Sequence, residues 1–249
     1  MQYGICPLSI VPLRCSPEES SEMMSQLLFG EHFKILESRK YWSKIRVAYD
    51  KCEGWIPNNQ LLFIPKEEYE AIQKKVKCHT SDLIGYVEHN NSMLTPILLG
   101  SSINNTQSLC VNFEGNKLQG MQKKENLIKT ALLYLNSPDL NGGRTPFGID
   151  ASGLTQMVYK INGYELLRNA EQQATQGEAL SFVEESEAGD LAFFDNANGV
   201  IDHVGIIMDN NYIIHVNGMV RIDRIDHTGI FNNDLRNYSH KLRVIKKII

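Results

Sequence analysis

A chain of 249 residues, 42% hydrophobic and 22% charged, holds enough material for two or three compact domains of ordinary globular composition. Its net charge of −4 argues against a general nucleic-acid binder, whose domain would carry a basic face. Its apolar runs, such as residues 61–65, fall far short of the roughly 20 residues a membrane-spanning helix needs, so no span is expected.

The chain starts Met1-Gln2-Tyr3-Gly4-Ile5-Cys6. That start lacks the basic segment, apolar stretch and small-residue cleavage site of a signal peptide. The expected location is cytoplasmic, or periplasmic or exported if a leader has been removed. The 5 cysteines (Cys6, Cys15, Cys52, Cys78 and Cys110) are odd in number and scattered without CxxC spacing. That disfavours both a disulfide framework and a zinc site. Buried free thiols are expected, and no metal or cofactor.

Residues 1–66 read as short strands between turns. They run through Ser9-Ile10-Val11-Pro12-Leu13-Arg14, a polar loop at residues 17–22, and Gln26-Leu27-Leu28-Phe29-Gly30-Glu31. Phe33-Lys34-Ile35-Leu36-Glu37, Trp42-Ser43-Lys44-Ile45-Arg46-Val47 and Glu53-Gly54-Trp55-Ile56-Pro57 follow. Apolar and polar residues alternate at a period near two, with Gly, Pro and Ser at the breaks, which suits a small closed β-barrel. That order of segments resembles a bacterial SH3 domain, with Trp42 and Trp55 expected in the barrel core. Residues 67–122 read as a linker helix followed by a divergent second SH3-like barrel over about residues 77–122. The stretch Pro96-Ile97-Leu98-Leu99-Gly100-Ser101 echoes Gln26-Leu27-Leu28-Phe29-Gly30-Glu31.

From Glu125 the period changes. Leu127, Ile128, Ala131, Leu132 and Leu135 share one helical face, and Ser137-Pro138 ends it. The loop Asn141-Gly142-Gly143-Arg144 leads to Gly148-Ile149-Asp150-Ala151-Ser152-Gly153 and a second helix through Leu154, Met157, Val158 and Ile161. The remainder is β-rich, so residues 123–249 form an α+β domain.

Several separated points of this last domain resemble the NlpC/P60 family of papain-like cysteine peptidases. The family has a Gly-Gly loop and then Asp-Cys-Ser-Gly opening a helix, matched by Gly142-Gly143 and Asp150-Ala151-Ser152-Gly153. Its next strand is matched by Gly189-Asp190-Leu191-Ala192-Phe193-Phe194, and its His-Val-Gly strand by His203-Val204-Gly205. The resemblance implies a papain-like fold, position 151 as the nucleophile, His203 as general base and His215 orienting its ring. A thiolate is favoured at a helix N-terminus, where free N–H groups and the macrodipole welcome negative charge. Asp150 and Ser152 would flank the nucleophile and help bind substrate, and Arg144 could grip a substrate carboxylate. A loop salt bridge is the alternative for Arg144. The implied reaction is hydrolysis of short peptidoglycan-derived peptides between γ-D-glutamate and a diamino acid. Family members with SH3 domains in front prefer a free N-terminal L-alanine, and Glu22 is a candidate partner for that ammonium. The implied partner is such a peptide, with no nucleic acid and no fixed oligomeric state.

Ala151 departs from the pattern. A methyl group cannot ionise or form an acyl-enzyme, so the family mechanism cannot run on this chain. Ser152 points about 100° away around the helix axis and does not replace it. The loop that often reads Pro-Tyr-Leu-Trp-Gly-Gly is here Pro138-Asp139-Leu140-Asn141-Gly142-Gly143. Asp139 thus replaces a cleft-lining tyrosine, and its charge would repel a developing oxyanion. A laboratory Cys→Ala substitution needs one change; natural loss of catalysis predicts several together. Three readings stay open: an endopeptidase whose Ala151 is a substitution, a pseudoenzyme binding cell-wall peptides or a protein partner, and an SH3-based adaptor. His32, His79, His89, His227 and His240 are expected to be structural, and Asp202 a turn residue.

Overall fold

The computed structural model describes residues 2–104 and 109–249. Met1, and residues 105–108 within the expected second barrel, lie outside the described residues. The chain divides into two compact units. The first comprises Met1–Gln122, Asn141–Thr145 and Gly163–Glu165; the second comprises Lys123–Leu140, Pro146–Asn162 and Leu166–Ile249. Among the described residues no helix is long and apolar enough to cross a membrane.

In the first unit, strands β1 (Gln2–Ile5), β2 (Ile10–Arg14), β3 (Met23–Leu28), β4 (His32–Ser38), β5 (Trp42–Val47), β6 (Glu53–Pro57) and β7 (Leu62–Ile64) form one antiparallel sheet. Its order is β3-β2-β6-β5-β4-β1-β7. The alternation read in the sequence holds: Val11 and Leu13, Phe33 and Ile35, and Ile45 and Val47 all point into one core with Cys6, Leu27 and Ile56. Trp55 is buried, with the Arg39 guanidinium 4.4 Å from its ring centre. Helix α1 (Lys66–Lys74) buries Tyr69 and Ile72 against Tyr3, Ile5 and Ile64.

The rest of this unit carries β8 (Cys78–Thr80), β9 (Ile84–His89), β10 (Leu94–Leu98), β11 (Val111–Asn112) and β12 (Lys117–Gln119). β10, β9 and β11 form one sheet, and β12 pairs with β8. Phe29, Val87, Ile97, Ile103 and Val111 share a core here. The sequence echo corresponds to two turns with matching hydrogen bonds. Glu31 N–H donates to Leu28 O at 3.1 Å, and Ser101 N–H to Leu98 O at 3.0 Å. Each turn is clasped by its last side chain, Glu31 Oε2 on Leu28 N–H and Ser101 Oγ on Leu98 N–H. Each ties to an earlier segment in the same way, Cys6 in one case and Thr80 in the other. Gly30 and Gly100 sit at φ +77° and +82°, where a side chain would strain the turn.

The cysteines are free, but not all are buried as expected: Cys15 and Cys110 are exposed. Both stand in turns, Cys110 at φ +54° and Cys15 with its Sγ 2.9 Å from Ser21 Oγ. That hydrogen bond, working against burial, lowers the Cys15 thiol pKa.

A short strand β13 (Arg144–Thr145) belongs to the first unit and β14 (Gly148–Ile149) to the second. The second unit continues with helices α2 (Glu125–Leu132), α3 (Ala151–Ile161) and α4 (Ala170–Gln173). Its large sheet has strands β15 (Glu178–Leu180), β16 (Leu191–Asp195), β17 (Ile201–Met208), β18 (Tyr212–Asn217), β19 (Met219–Ile225), β20 (Gly229–Asn232) and β21 (Asn237–Lys247). The order is β15-β21-β16-β17-β18-β19-β20, and β20 also pairs with β21. Six strands therefore close on themselves, because the 11-residue β21 is long enough to serve several partners. From Gly153 onward α3 is buried along its whole length.

The expected apolar face of α2 needs correcting. The buried positions are Leu127, Thr130 and Ala131, with Tyr134 just beyond the helix; Leu132 and Leu135 are exposed. Asn136, at φ +67°, turns the chain so that its N–H reaches Val220 O at 2.9 Å, ending the helical face early. Thr130 fits inside because its Oγ1 accepts from Asn162 Nδ2 at 2.9 Å.

Candidate active site

Strand alternation sets the site. His203, Gly205 and Ile207 share one face of β17, Ile213 and His215 one face of β18, and Arg221, Asp223 and Ile225 one face of β19. Ile207, Ile213 and Ile225 belong to a single core with Phe194, Ile230 and Ile245, so the polar side chains continue a row that faces that core. Gly205 makes their approach possible. A Cβ built there would lie 2.7 Å from Ile213 Cδ1 and 2.9 Å from His215 Cβ.

Four side chains are joined in a line. His203 Nε2 lies 3.0 Å from His215 Nδ1, and His215 Nε2 lies 3.0 Å from Asp223 Oδ2. Arg221 donates Nε–H to Asp223 Oδ2 at 2.6 Å and a terminal N–H to Oδ1 at 2.9 Å. Burial would push the Asp223 carboxyl pKa up, but hydrogen bonds from His215 and Arg221 and their charges bring it below the usual range. The ionised carboxylate can only accept, so His215 Nε2 donates; when His215 is neutral its Nδ1 accepts and His203 Nε2 donates in turn. His203 Nδ1 is left with a free lone pair. That is the arrangement of an oriented general base.

His240 lies flat against His203, ring centres 3.9 Å apart and 20° from parallel, with its Nδ1 2.8 Å from Ser239 Oγ. Burial, reinforced by His240 and His215, holds the His203 pKa well below the usual imidazole range. Burial, with His215 adding to it, lowers His240 to about 4.

Ala151 is the first residue of α3 and is half-buried. Asp150 caps that helix, accepting from Gly153 N–H at 2.6 Å. Arg168 holds the same carboxylate at 2.6 and 3.0 Å and donates to Ser152 Oγ at 2.9 Å. A cap, an ion pair and the helix dipole thus fix the start of the helix to the segment before α4.

Comparison with known proteins shows which families the two parts of the chain match. Residues 140–237 match the NlpC/P60 family, and residues 13–61 match the bacterial dipeptidyl-peptidase SH3 domain. The chain therefore carries an NlpC/P60 domain and, before it, a bacterial SH3 domain. Dipeptidyl-peptidase 6 of Lysinibacillus sphaericus is 24% identical, over 82% of this chain and 83% of its own. The γ-D-glutamyl-L-lysine dipeptidyl-peptidase of Bacillus subtilis (strain 168) is 26% identical, over 78% of this chain and 72% of its own. A crystal structure of an NlpC/P60 family protein from Bacillus cereus superposes with TM-score 0.80 at 17% identity, covering 99% of each chain. An NlpC/P60 endopeptidase from Photobacterium damselae gives TM-score 0.70 at 15% identity, over 97% of this chain and 70% of that one.

The residues expected at the site from the sequence fall into two groups. His203 and His215 are brought together, and Asp150 and Ser152 flank Ala151 at the helix start. Asp150 and Ser152 are engaged with Arg168, so their visible work is to hold the helix. Asp139 is exposed as a residue, its N–H donating to Gly218 O at 3.0 Å; partial desolvation of its carboxyl by neighbouring atoms, with the charge of Asp150 adding to it, raises its pKa. Arg144 takes the salt-bridge alternative. Its guanidinium is 1% exposed and donates to both carboxylate oxygens of Glu31, at 2.9 and 3.0 Å, and to Gln26 O at 2.5 Å. Burial opposes its charge, yet the Glu31 carboxylate more than compensates and pushes its pKa up. The carboxylate it grips is the protein's own. Glu22 is exposed, next to β3 in the first unit.

Sequence reasoning missed Asp223, Arg221 and His240. A trace of the first two was present: charged residues at alternate positions of an otherwise apolar strand, Val220-Arg221-Ile222-Asp223, call for partners on one face. His240 carries no local signal, since the register irregularity of β21 against β20 decides where its ring points.

Proposed function

We propose that this chain is a peptide-hydrolase scaffold for short cell-wall peptides with a γ-D-glutamyl–diamino-acid bond, unable to hydrolyse them through a thiol because Ala151 stands at the nucleophile position. The observation that carries the reading is the hydrogen-bonded line His203–His215–Asp223, kept intact in a chain whose capped helix opens with alanine. The names of the similar dipeptidyl-peptidases supply the substrate class.

With cysteine at 151, His203 Nδ1 would take the thiol proton. The thiolate, favoured by the helix N-terminus, would attack the γ-glutamyl carbonyl. The tetrahedral intermediate would collapse by expelling the diamino acid's amine, which receives the proton from the imidazolium. Water activated by the same imidazole would then release the acyl group. Asp223 would hold His215, and His215 would hold the ring of His203, in the orientation both proton transfers need.

The test is to compare the original chain, Ala151→Cys, and Ala151→Cys with His203→Ala on L-Ala-γ-D-Glu-diaminopimelate and its lysine counterpart. The restored cysteine is expected to raise cleavage by roughly 10³-fold or more, and loss of His203 to abolish the gain. The original chain is expected to bind the peptide without cleaving it. A restored variant that binds but stays inert removes the hydrolase reading and leaves a peptide binder. Failure of every form to bind removes both.

A further inference from the structure

We propose that His203, His215 and His240 form a binding site for one divalent transition-metal cation of the zinc class. The line from His203 to Asp223 explains two of the three imidazoles and leaves out His240. One ring nitrogen from each of the three lies within 4.8 Å of the others, and the His203–His215 pair is 3.0 Å apart. Zinc–imidazole bonds of about 2.0–2.1 Å at tetrahedral angles place neighbouring nitrogens about 3.4 Å apart. Because the His240 ring is stacked on His203, it must turn out of that stack as well as move by on the order of 1 Å to aim its nitrogen at the point the other two share.

Two of the three rings, His215 and His240, have the outer contacts of a metal ligand. A ligating histidine usually gives its second ring N–H to a carboxylate or other acceptor, which fixes the tautomer and aims the other lone pair. His215 Nε2 does this with Asp223, itself clamped by Arg221. His240 Nδ1 has Ser239 Oγ at 2.8 Å, which frees Nε2. On binding, His203 moves its proton from Nε2 to Nδ1, and the bond to His215 Nδ1 gives way to coordination by both nitrogens. No proton need leave the protein.

Access is also present. A cleft of about 560 Å³, lined by Asp195, Asn196, Asp202, His203, Tyr238 and His240 among others, opens onto two of the three rings. It offers an entry path and leaves a fourth coordination position for water. Imidazole donors suit zinc, copper and nickel better than calcium or magnesium, which take oxygen ligands. The site uses no atom of position 151, so its titration needs no cysteine there; but with the metal bound His203 carries its proton on Nδ1 and cannot act as general base, so the metal-bound and hydrolytic states exclude one another.

The full chain, stripped with a chelator, is titrated with Zn²⁺ by calorimetry and with Co²⁺ by visible absorption. One equivalent is expected, with the intense bands of a four-coordinate cobalt site that Zn²⁺ then erases. His240→Gln and Asp223→Asn are each expected to weaken binding by about tenfold or more while circular dichroism stays unchanged. Because either change could disturb packing, the unaltered chain is also followed by imidazole nitrogen NMR. The signals of His203, His215 and His240 should all move with the first equivalent. The proposal is overturned by absence of saturable binding, by a six-coordinate cobalt spectrum, or by affinity unchanged in His240→Gln. It is equally overturned if those three rings do not respond.

Discussion

His203 is buried beside two other imidazoles, and both circumstances work against its protonation. His240 is held down by the same burial and by His215, with Asp202 and Asp223 opposing. In the unfolded chain both titrate near 6.5. Groups whose folded pKa is depressed contribute stability that is complete above the unfolded value and is lost as pH falls towards the folded one. The window for His240 runs from about 6.5 down to about 4. Asp223, also depressed, acts below the carboxylate range and does not offset this. The melting temperature is therefore expected to be level above pH 7 and to fall by about 5 °C between pH 7 and 5. His240→Gln should flatten that slope. A melting temperature independent of pH over this interval would show that the rings are not buried as neutral imidazoles.

At the scale of elements, the site depends on how closely β17 and β18 approach. Gly205 has no Cβ, and one placed there would meet both Ile213 and the His215 Cβ below 3.0 Å. The end of the isoleucine side chain can rotate aside, but the histidine Cβ is fixed by its strand. Gly205→Ala is expected to destabilise the second unit by about 1–3 kcal/mol through overpacking. In an Ala151→Cys background it should lower kcat more than KM, because it pushes His215 away from His203. Denaturant unfolding and steady-state kinetics measure the two effects. An unchanged kcat would mean that the His203–His215 contact is not needed. The His-Val-Gly pattern was legible in the sequence, whereas the reason for its glycine came from the neighbouring strand. Likewise the α3 start was legible from Asp150 and the apolar spacing after it. The buried face of α2 was misread, because the hydroxyl of Thr130 is satisfied inside by Asn126 O of its own helix and by Asn162, far along the chain.

At the scale of the whole molecule, one buried ion pair joins positions 113 residues apart, Glu31 in the β3–β4 turn and Arg144 in the glycine-rich loop. Removing one member of such a pair leaves a charge without compensation. Arg144→Met is expected to cost about 3–5 kcal/mol, and adding Glu31→Gln should recover much of that loss. Chemical denaturation of both variants provides the measurement. Equal stability of Arg144→Met and the original chain would mean that the pair is solvated. Spacing alone could not choose between a substrate-gripping Arg144 and a salt-bridged one, because the choice depends on which carboxylate the folded chain brings near.

The sequence by itself determined the α+β class, the SH3-like front, the repeated turn around Gly30 and Gly100, and the two histidines. These are written in local periodicity and short motifs, which bind only neighbouring residues. The tertiary structure decided the Asp223–Arg221 end of the histidine line, the stacking of His240 and the partner of Arg144. Each of these is a meeting of side chains from separate segments, and sheet closure and register settle it.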